Sequence, residues 1–151
     1  MDETSIYLDC PSKYSYATKG DKRVKVDTHG GEMVRMSACF AANAFGEKLP
    51  IYVLIPRKDE LPGYIPLQNV IIMYKQSATF NEDVEIDYID KVFSEKEGSD
   101  LFLDSARCHL TDKLNDKLVS LKIEKVIIPP RMKNLLQPAE AGWFSKIKKE
   151  L

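Results

Sequence analysis

The residues best suited to chemistry in this 151-residue chain are carboxylates. Asp104 closes the apolar run Leu101 to Leu103 in "LFLDSARCHL" and is followed at once by Ser105. Aspartate is disfavoured inside strands and costly to bury unpaired, so this position marks either a turn or a site. Glu140 lies just after "QPA", and Asp2 and Glu3 stand at the head of the chain. Were Asp2, Asp104 and Glu140 to converge, each would raise its neighbours' pKa unless a cation intervened. Oxygen donors alone suit Mg²⁺, which keeps several waters and takes further ligands from a substrate's phosphate oxygens. Two such ions about 4 Å apart would clamp the attacking and leaving oxygens of a phosphodiester displacement. Taken singly, each acid also has an ordinary role: Asp104 as a turn or cap residue, Glu140 as a first-turn charge favoured by the helix dipole, Asp2 as part of a chain end. A phosphohydrolase with Asp104 as nucleophile is disfavoured, because the second Asp usual two residues on is here Ala106.

The elements that must position these groups are readable from periodicity. "SIYLDC" predicts a strand extending back through Asp2, "RVKV" a short strand after the turn at Gly20, and the run from Met33 a third strand that Gly46 turns into "LPIYVLI". Together they predict an antiparallel meander. "NVIIMY" is a further strand after a loop containing Pro56, Pro62, Gly63 and Pro66. "TFNE" predicts a helix with Thr79 as N-cap, Val84, Tyr88, Ile89, Val92 and Phe93 on its buried face, and Gly98 as its stop. After "LFLD", Thr111 caps a second helix with Leu110, Leu114, Leu118 and Leu121 on one side, and "IEKVII" is a strand ended by Pro129 and Pro130. The last segment places Pro138 at a first helical position and Ala139, Trp143, Ile147 and Leu151 in one stripe, with Glu140 on its border. Trp143 is thereby expected in the core. A sheet-forming first half and an alternating second half imply a mixed sheet with helices on its faces.

Composition limits the alternatives. With 44% hydrophobic and 30% charged residues the chain is a globular domain of single-core size. No apolar run approaches a membrane span, Met1 leads directly into acids with no signal-peptide pattern, and an intracellular setting without membrane contact is expected. Cys10, Cys39 and Cys108 match no zinc or redox spacing and are expected as reduced thiols. A net charge of -1 gives no bulk attraction to nucleic acid, but its distribution is uneven. Lys13, Lys19, Lys22, Arg23 and Lys25 face the single acid Asp21, whereas the stretch from Glu82 to Asp100 is strongly acidic.

Three signatures, in order over nearly the whole chain, carry a family resemblance. "MDETSIYLDCPSKYSYATKG", "LFLDSARCH" and "IIPPRMKNLLQPAEAGWFSKIK" resemble the motifs of the DDE superfamily endonuclease domain of pogo, Tigger and jerky type transposases. The resemblance implies an α/β, ribonuclease-H-like mixed sheet in which Asp2, Asp104 and Glu140 are catalytic and bind Mg²⁺ or Mn²⁺, two ions in an active enzyme. It implies DNA as partner and the nucleus as location, and leaves homo-oligomerisation open. Glu140 stands where pogo-like members usually carry Asp, and is likewise an oxygen ligand.

Measured against that family, residues 1–151 are expected to form a single catalytic-core domain truncated at both ends: one residue precedes Asp2, the last helix stops at Leu151, and no helix-turn-helix region is present. The function implied is a metal-dependent DNA endonuclease and strand-transfer core. The alternative is a catalytically inert remnant acting as a nucleic-acid-associated or protein-interaction module. Lys19, Lys22, Arg23, His109, Arg131 and Lys133 are candidate nucleic-acid contacts, with solvated loops, a charged strand edge and a helix-start histidine as the competing roles.

Overall fold

The computed structural model describes residues 1–7, 16–20, 22, 34–144 and 146–147, and for residues 134 and 141 the backbone alone. The expected "RVKV" strand, Arg23, Cys10, Lys13, Lys25 and Leu151 lie outside the described residues. The strands are β1 (Asp2–Tyr7), β2 (Arg35–Phe40), β3 (Ile51–Pro56), β4 (Val70–Lys75), β5 (Asp100–Leu103) and β6 (Glu124–Ile127). The helices are α1 (Glu82–Phe93), α2 (Asp112–Ser120) and the short α3 (Lys133–Leu136). One sheet has the order β1-β2-β3-β4 and a second pairs β5 with β6.

The meander is present: β1 runs antiparallel to β2, and β2 to β3. β4 instead joins β3 in parallel, which the long connection from Arg57 to Asn69 permits and a tight hairpin would not. β5 and β6 are also parallel, with α2 as their crossover. The Met1 ammonium donates to the Phe102 carbonyl at 2.9 Å, so the head of β1 is tied to β5.

Register decides what each face of β1 carries. Asp2 pairs with Phe40 and Glu3 with Cys39, and directly paired residues point to the same side while successive ones alternate. The Glu3 and Cys39 side faces the core, where Cys39, Tyr52, Leu54, Val84, Tyr88, Ile89, Leu101, Leu103, Leu114 and Leu118 pack together. On the Asp2 and Phe40 side, the Phe144 ring meets Phe40 edge-on with centroids 5.7 Å apart.

Several helix boundaries differ from expectation. The N-cap of α1 is Asn81, whose side chain accepts the Val84 N–H, whereas the Thr79 N–H donates to Ser77 in the preceding turn. α1 ends at Phe93, and Gly98, at φ +75°, donates its N–H to Lys122 and leads into β5. Thr111 caps α2 as expected, but Leu110 belongs to a 3₁₀ turn (Arg107–Leu110) and is half exposed, leaving Leu114 and Leu118 as the buried pair. The last segment contains a π-turn over Ala139–Trp143. Its wider loop carries one extra residue, which shifts the buried face by one position: Phe144 is buried and Trp143 is partly exposed, the reverse of the expected stripe.

Leu103 is fully buried beside Asp104 and packs in the common core. Leu103→Ala should therefore destabilise the domain by about 2–5 kcal/mol, read as a lower urea midpoint with an unchanged slope.

Candidate active site

Asp104 follows β5 directly and is buried, and its two oxygens are divided between two neighbourhoods. Oδ1 accepts the Ala106 N–H at 2.8 Å and lies 2.7 Å from His109 Nδ1. Oδ2 accepts from the Lys133 ammonium. Burial alone would raise the Asp104 pKa, but the bonds from His109, Lys133 and the Ala106 amide outweigh it and hold the carboxyl well below its usual range.

On the Oδ2 side, Asp2 and Glu140 are coupled to Asp104 through their charges. Asp2 is buried, and its Oδ2 has no hydrogen-bond partner. Burial first, then the charges of Glu3, Asp104 and Glu140, push its pKa up from 3.8 to about 7. Glu140 is exposed, in the π-turn. Lys133 opens α3, and although partial burial works against its charge, Asp104, with Asp2 and Glu140 behind it, raises its pKa. One ammonium thus pairs with Asp104 and lies within the field of Asp2 and Glu140. Gln137, also buried, donates from Nε2 to the Met1 carbonyl at 3.0 Å and so fastens the segment bearing Glu140 to the head of β1.

On the Oδ1 side, reached from the other face of β1, His109 is fully buried. Its Nδ1 also lies 3.1 Å from the Asp104 carbonyl, and its Nε2 lies 3.3 Å from Glu3 Oε1 and 2.8 Å from Glu85 Oε1. Burial opposes a charge on the ring, but its bonds to Asp104, Cys108, Glu3 and Glu85 outweigh that and raise its pKa well above the usual range. Glu85 is fully buried in the first turn of α1, and neither of its oxygens has an aligned hydrogen bond.

The structure therefore brings Asp2, Asp104 and Glu140 into electrostatic reach of one another, but not into a closed ligand shell. Among the described residues, the donor atoms that all lie within 4.8 Å of one another belong to Glu85, Cys108 and His109. Of the candidate nucleic-acid contacts, Lys19, Lys22 and Arg131 are exposed. Lys133 is instead turned onto Asp104, and His109 is buried out of reach of any phosphate. Glu85 and Gln137 were not expected at the site. An acid in a first helical turn reads as a dipole-favoured surface charge, and only the odd placement of Glu85 within the apolar stripe of α1 distinguishes it.

The fold, with Asp2 and Asp104 at strand ends and Glu140 in the C-terminal helical turn, is ribonuclease-H-like, the class of the DDE nucleases. Residues 34–151 match the model of the family described as DDE superfamily endonuclease, and the chain belongs to that family. The protein "Pogo transposable element with KRAB domain" of Mus musculus is 30% identical over 142 residues, covering 90% of this chain. Its Homo sapiens counterpart matches to the same extent. The chain spans 23% of the length of these relatives, about a quarter. The solved structure "Mos1 transposase paired-end complex with left transposon end" superposes with a TM-score of 0.61 over 99% of this chain and 40% of that one, at 18% identity, a likeness of fold. The chain is a pogo-type DDE domain, as its three signatures led us to expect. Among the described residues no helix is long and apolar enough to cross a membrane.

Two outcomes follow from the Asp2 side. A carboxyl whose pKa rises on folding from 3.8 to about 7 binds more protons in the folded state, so its burden on stability grows above pH 3.8 and is complete above about pH 7. Asp2→Asn should remove a penalty on the order of 4 kcal/mol at pH 8 and almost none below the lower value, so that melting curves of variant and wild type diverge as pH rises between the two. Lys133→Met should cost the metal-free domain about 1–2 kcal/mol, the Lys133 side chain being partly solvated, as measured by urea unfolding.

Proposed function

We propose that this domain is the metal-dependent DNA endonuclease and strand-transfer core of a transposase-derived protein, acting on DNA in the nucleus as a single unit over residues 1–151. The observation that carries the reading is the Asp2 carboxyl: buried, with one oxygen unpartnered, and driven up to about 7 by that burial first and by its acidic neighbours second. Such a group fits a hard cation better than it fits protein. Asp2, Oδ2 of Asp104 and Glu140 would hold Mg²⁺ or Mn²⁺, and the open arrangement suits an ion that keeps waters and borrows substrate oxygens.

When bound, the metal supplies a Lewis acid for the scissile phosphate and a water of lowered pKa. The protein's own share is positional. Asp104 is pinned through Oδ1 by the Ala106 amide and His109, which leaves Oδ2 as the oxygen presented to the cation. Glu140, being exposed, would complete the site from the solvent side. Lys133 would release Oδ2 were a metal held there, and its side chain is partly solvated. Lys19, Lys22 and Arg131 are the described candidates to follow the phosphate backbone.

One observation favours the second reading, an inert module retained for binding: the Lys133 ammonium already neutralises the cluster. Nicking of supercoiled DNA separates the two. The nuclease reading expects cleavage that requires Mn²⁺ or Mg²⁺ and falls at least a hundredfold in Asp104→Ala. DNA binding that survives the triple change Asp2→Asn, Asp104→Asn and Glu140→Gln, with no metal-dependent nicking by the wild type, would establish the module instead.

A further inference from the structure

Glu85 has no place in the chemistry described so far, yet its position is costly. A carboxylate on a helix that packs into the core is fully buried, with neither oxygen in an aligned hydrogen bond. Removing such a group from water without partners is strongly unfavourable, and only a specific neighbour can offset it. That neighbour is the imidazole of His109, 2.8 Å away at Nε2, whose other nitrogen lies 2.7 Å from Asp104 Oδ1. Helix α1, the 3₁₀ turn Arg107–Leu110 and the end of β5 are thus connected through three consecutive side chains.

We infer that Glu85 is a positioning residue, which fixes the His109 ring so that the ring in turn fixes the rotamer of Asp104 and turns its Oδ2 toward the cation position. This rests on the metal-binding reading above. An imidazole has two nitrogens in a rigid plane, so an anchor at Nε2 sets the direction of Nδ1. With Nδ1–H and the Ala106 amide both on Oδ1, rotation of the Asp104 carboxyl would break two bonds at once. Glu3 Oε1, on a partly exposed side chain, makes the aligned hydrogen bond to Nε2 at 3.3 Å, and Glu85, fully buried and nearer at 2.8 Å, holds the same nitrogen as its ion-pair partner. The ligand in a metal site is ordinarily a histidine oriented by a carboxylate. Here the order is inverted: the carboxylate is the ligand, and a histidine held by a second carboxylate orients it.

Mn²⁺ affinity, measured by the electron paramagnetic resonance signal of free Mn²⁺ on the whole chain, tests the inference without any turnover. Outer-shell partners of metal ligands are typically worth about 10–100-fold in affinity. Glu85→Met, matched in size and helix propensity, should weaken Mn²⁺ binding by about that factor. Glu85→Ala gives the same comparison should the methionine variant fail to fold. Glu85→Gln should stay within about threefold of wild type, because its amide carbonyl can accept from Nε2–H while Nδ1–H still donates to Asp104. His109→Gln should lose a similar factor, and the double variant with Glu85→Met should lose no more than either single change. Folded Glu85→Met or Glu85→Ala protein with wild-type affinity would overturn the inference, as would strictly additive losses or a glutamine variant as weak as the methionine one. Wild-type protein that binds Mn²⁺ no better than Asp104→Ala would overturn the metal reading itself, and this inference with it.

Discussion

The site is organised by the division of one carboxylate between two polar neighbourhoods. Asp104 gives Oδ1 to His109 and a backbone amide, and Oδ2 to a lysine standing among two further acids. Neither neighbourhood is balanced alone. The imidazole ring lies between Asp104, Glu3 and Glu85, and the ammonium lies among Asp104, Asp2 and Glu140. Burial would penalise every one of these charges in isolation, and the alternation of acid and base along the chain of contacts is what makes their burial tolerable. β1 runs between the two sets, and its pleat sends Asp2 to one and Glu3 to the other.

This arrangement explains why so much of the chain's polar chemistry is concentrated at one end of the sheet. Strand ends release their side chains from ladder geometry, so β5 can finish on an aspartate whose backbone then turns into a 3₁₀ segment carrying His109. The C-terminal segment reaches the same place through Gln137, which holds the Met1 carbonyl, and through Phe144, which packs on Phe40. Hydrogen bonding thus reaches the residue just before β1, and packing reaches the end of β2 paired with it. The acidic group around Lys133 is assembled from three parts of the chain that share no local sequence.

Much of this was legible in the sequence, and the reasons for success and failure are physical. The meander, both longer helices and the "LFLD" strand follow from apolar periods of two and of three to four. Asp104 stood out because an acid after an apolar run is anomalous. The parallel pairing of β4 was not legible, since a short apolar run carries no direction. The π-turn was not legible either: one extra residue in a helical turn leaves no periodic trace, and it exchanged the buried roles of Trp143 and Phe144. Lys133 read as a phosphate contact or a solvated base, and Glu85 was one acid of the stretch from Glu82, because charge type alone does not say which way a long side chain folds back. Both depend on contacts with residues far away in the chain, which no local pattern encodes.

The neighbouring acids Asp2 and Glu3 have one more consequence, for how the first hairpin chooses its alignment. A strand displaced by a single residue turns every side chain to the opposite face. Because acids stand at both positions, a strand displaced by one residue would still put an anion in one half of the site, but Thr4 or Met1 in the other. Charge therefore detects half of the mistake, and bulk and shape supply the rest, through Phe40 and Phe144 on one side and Cys39 against the interior on the other. The fidelity of an electrostatic site is policed here partly by hydrocarbon.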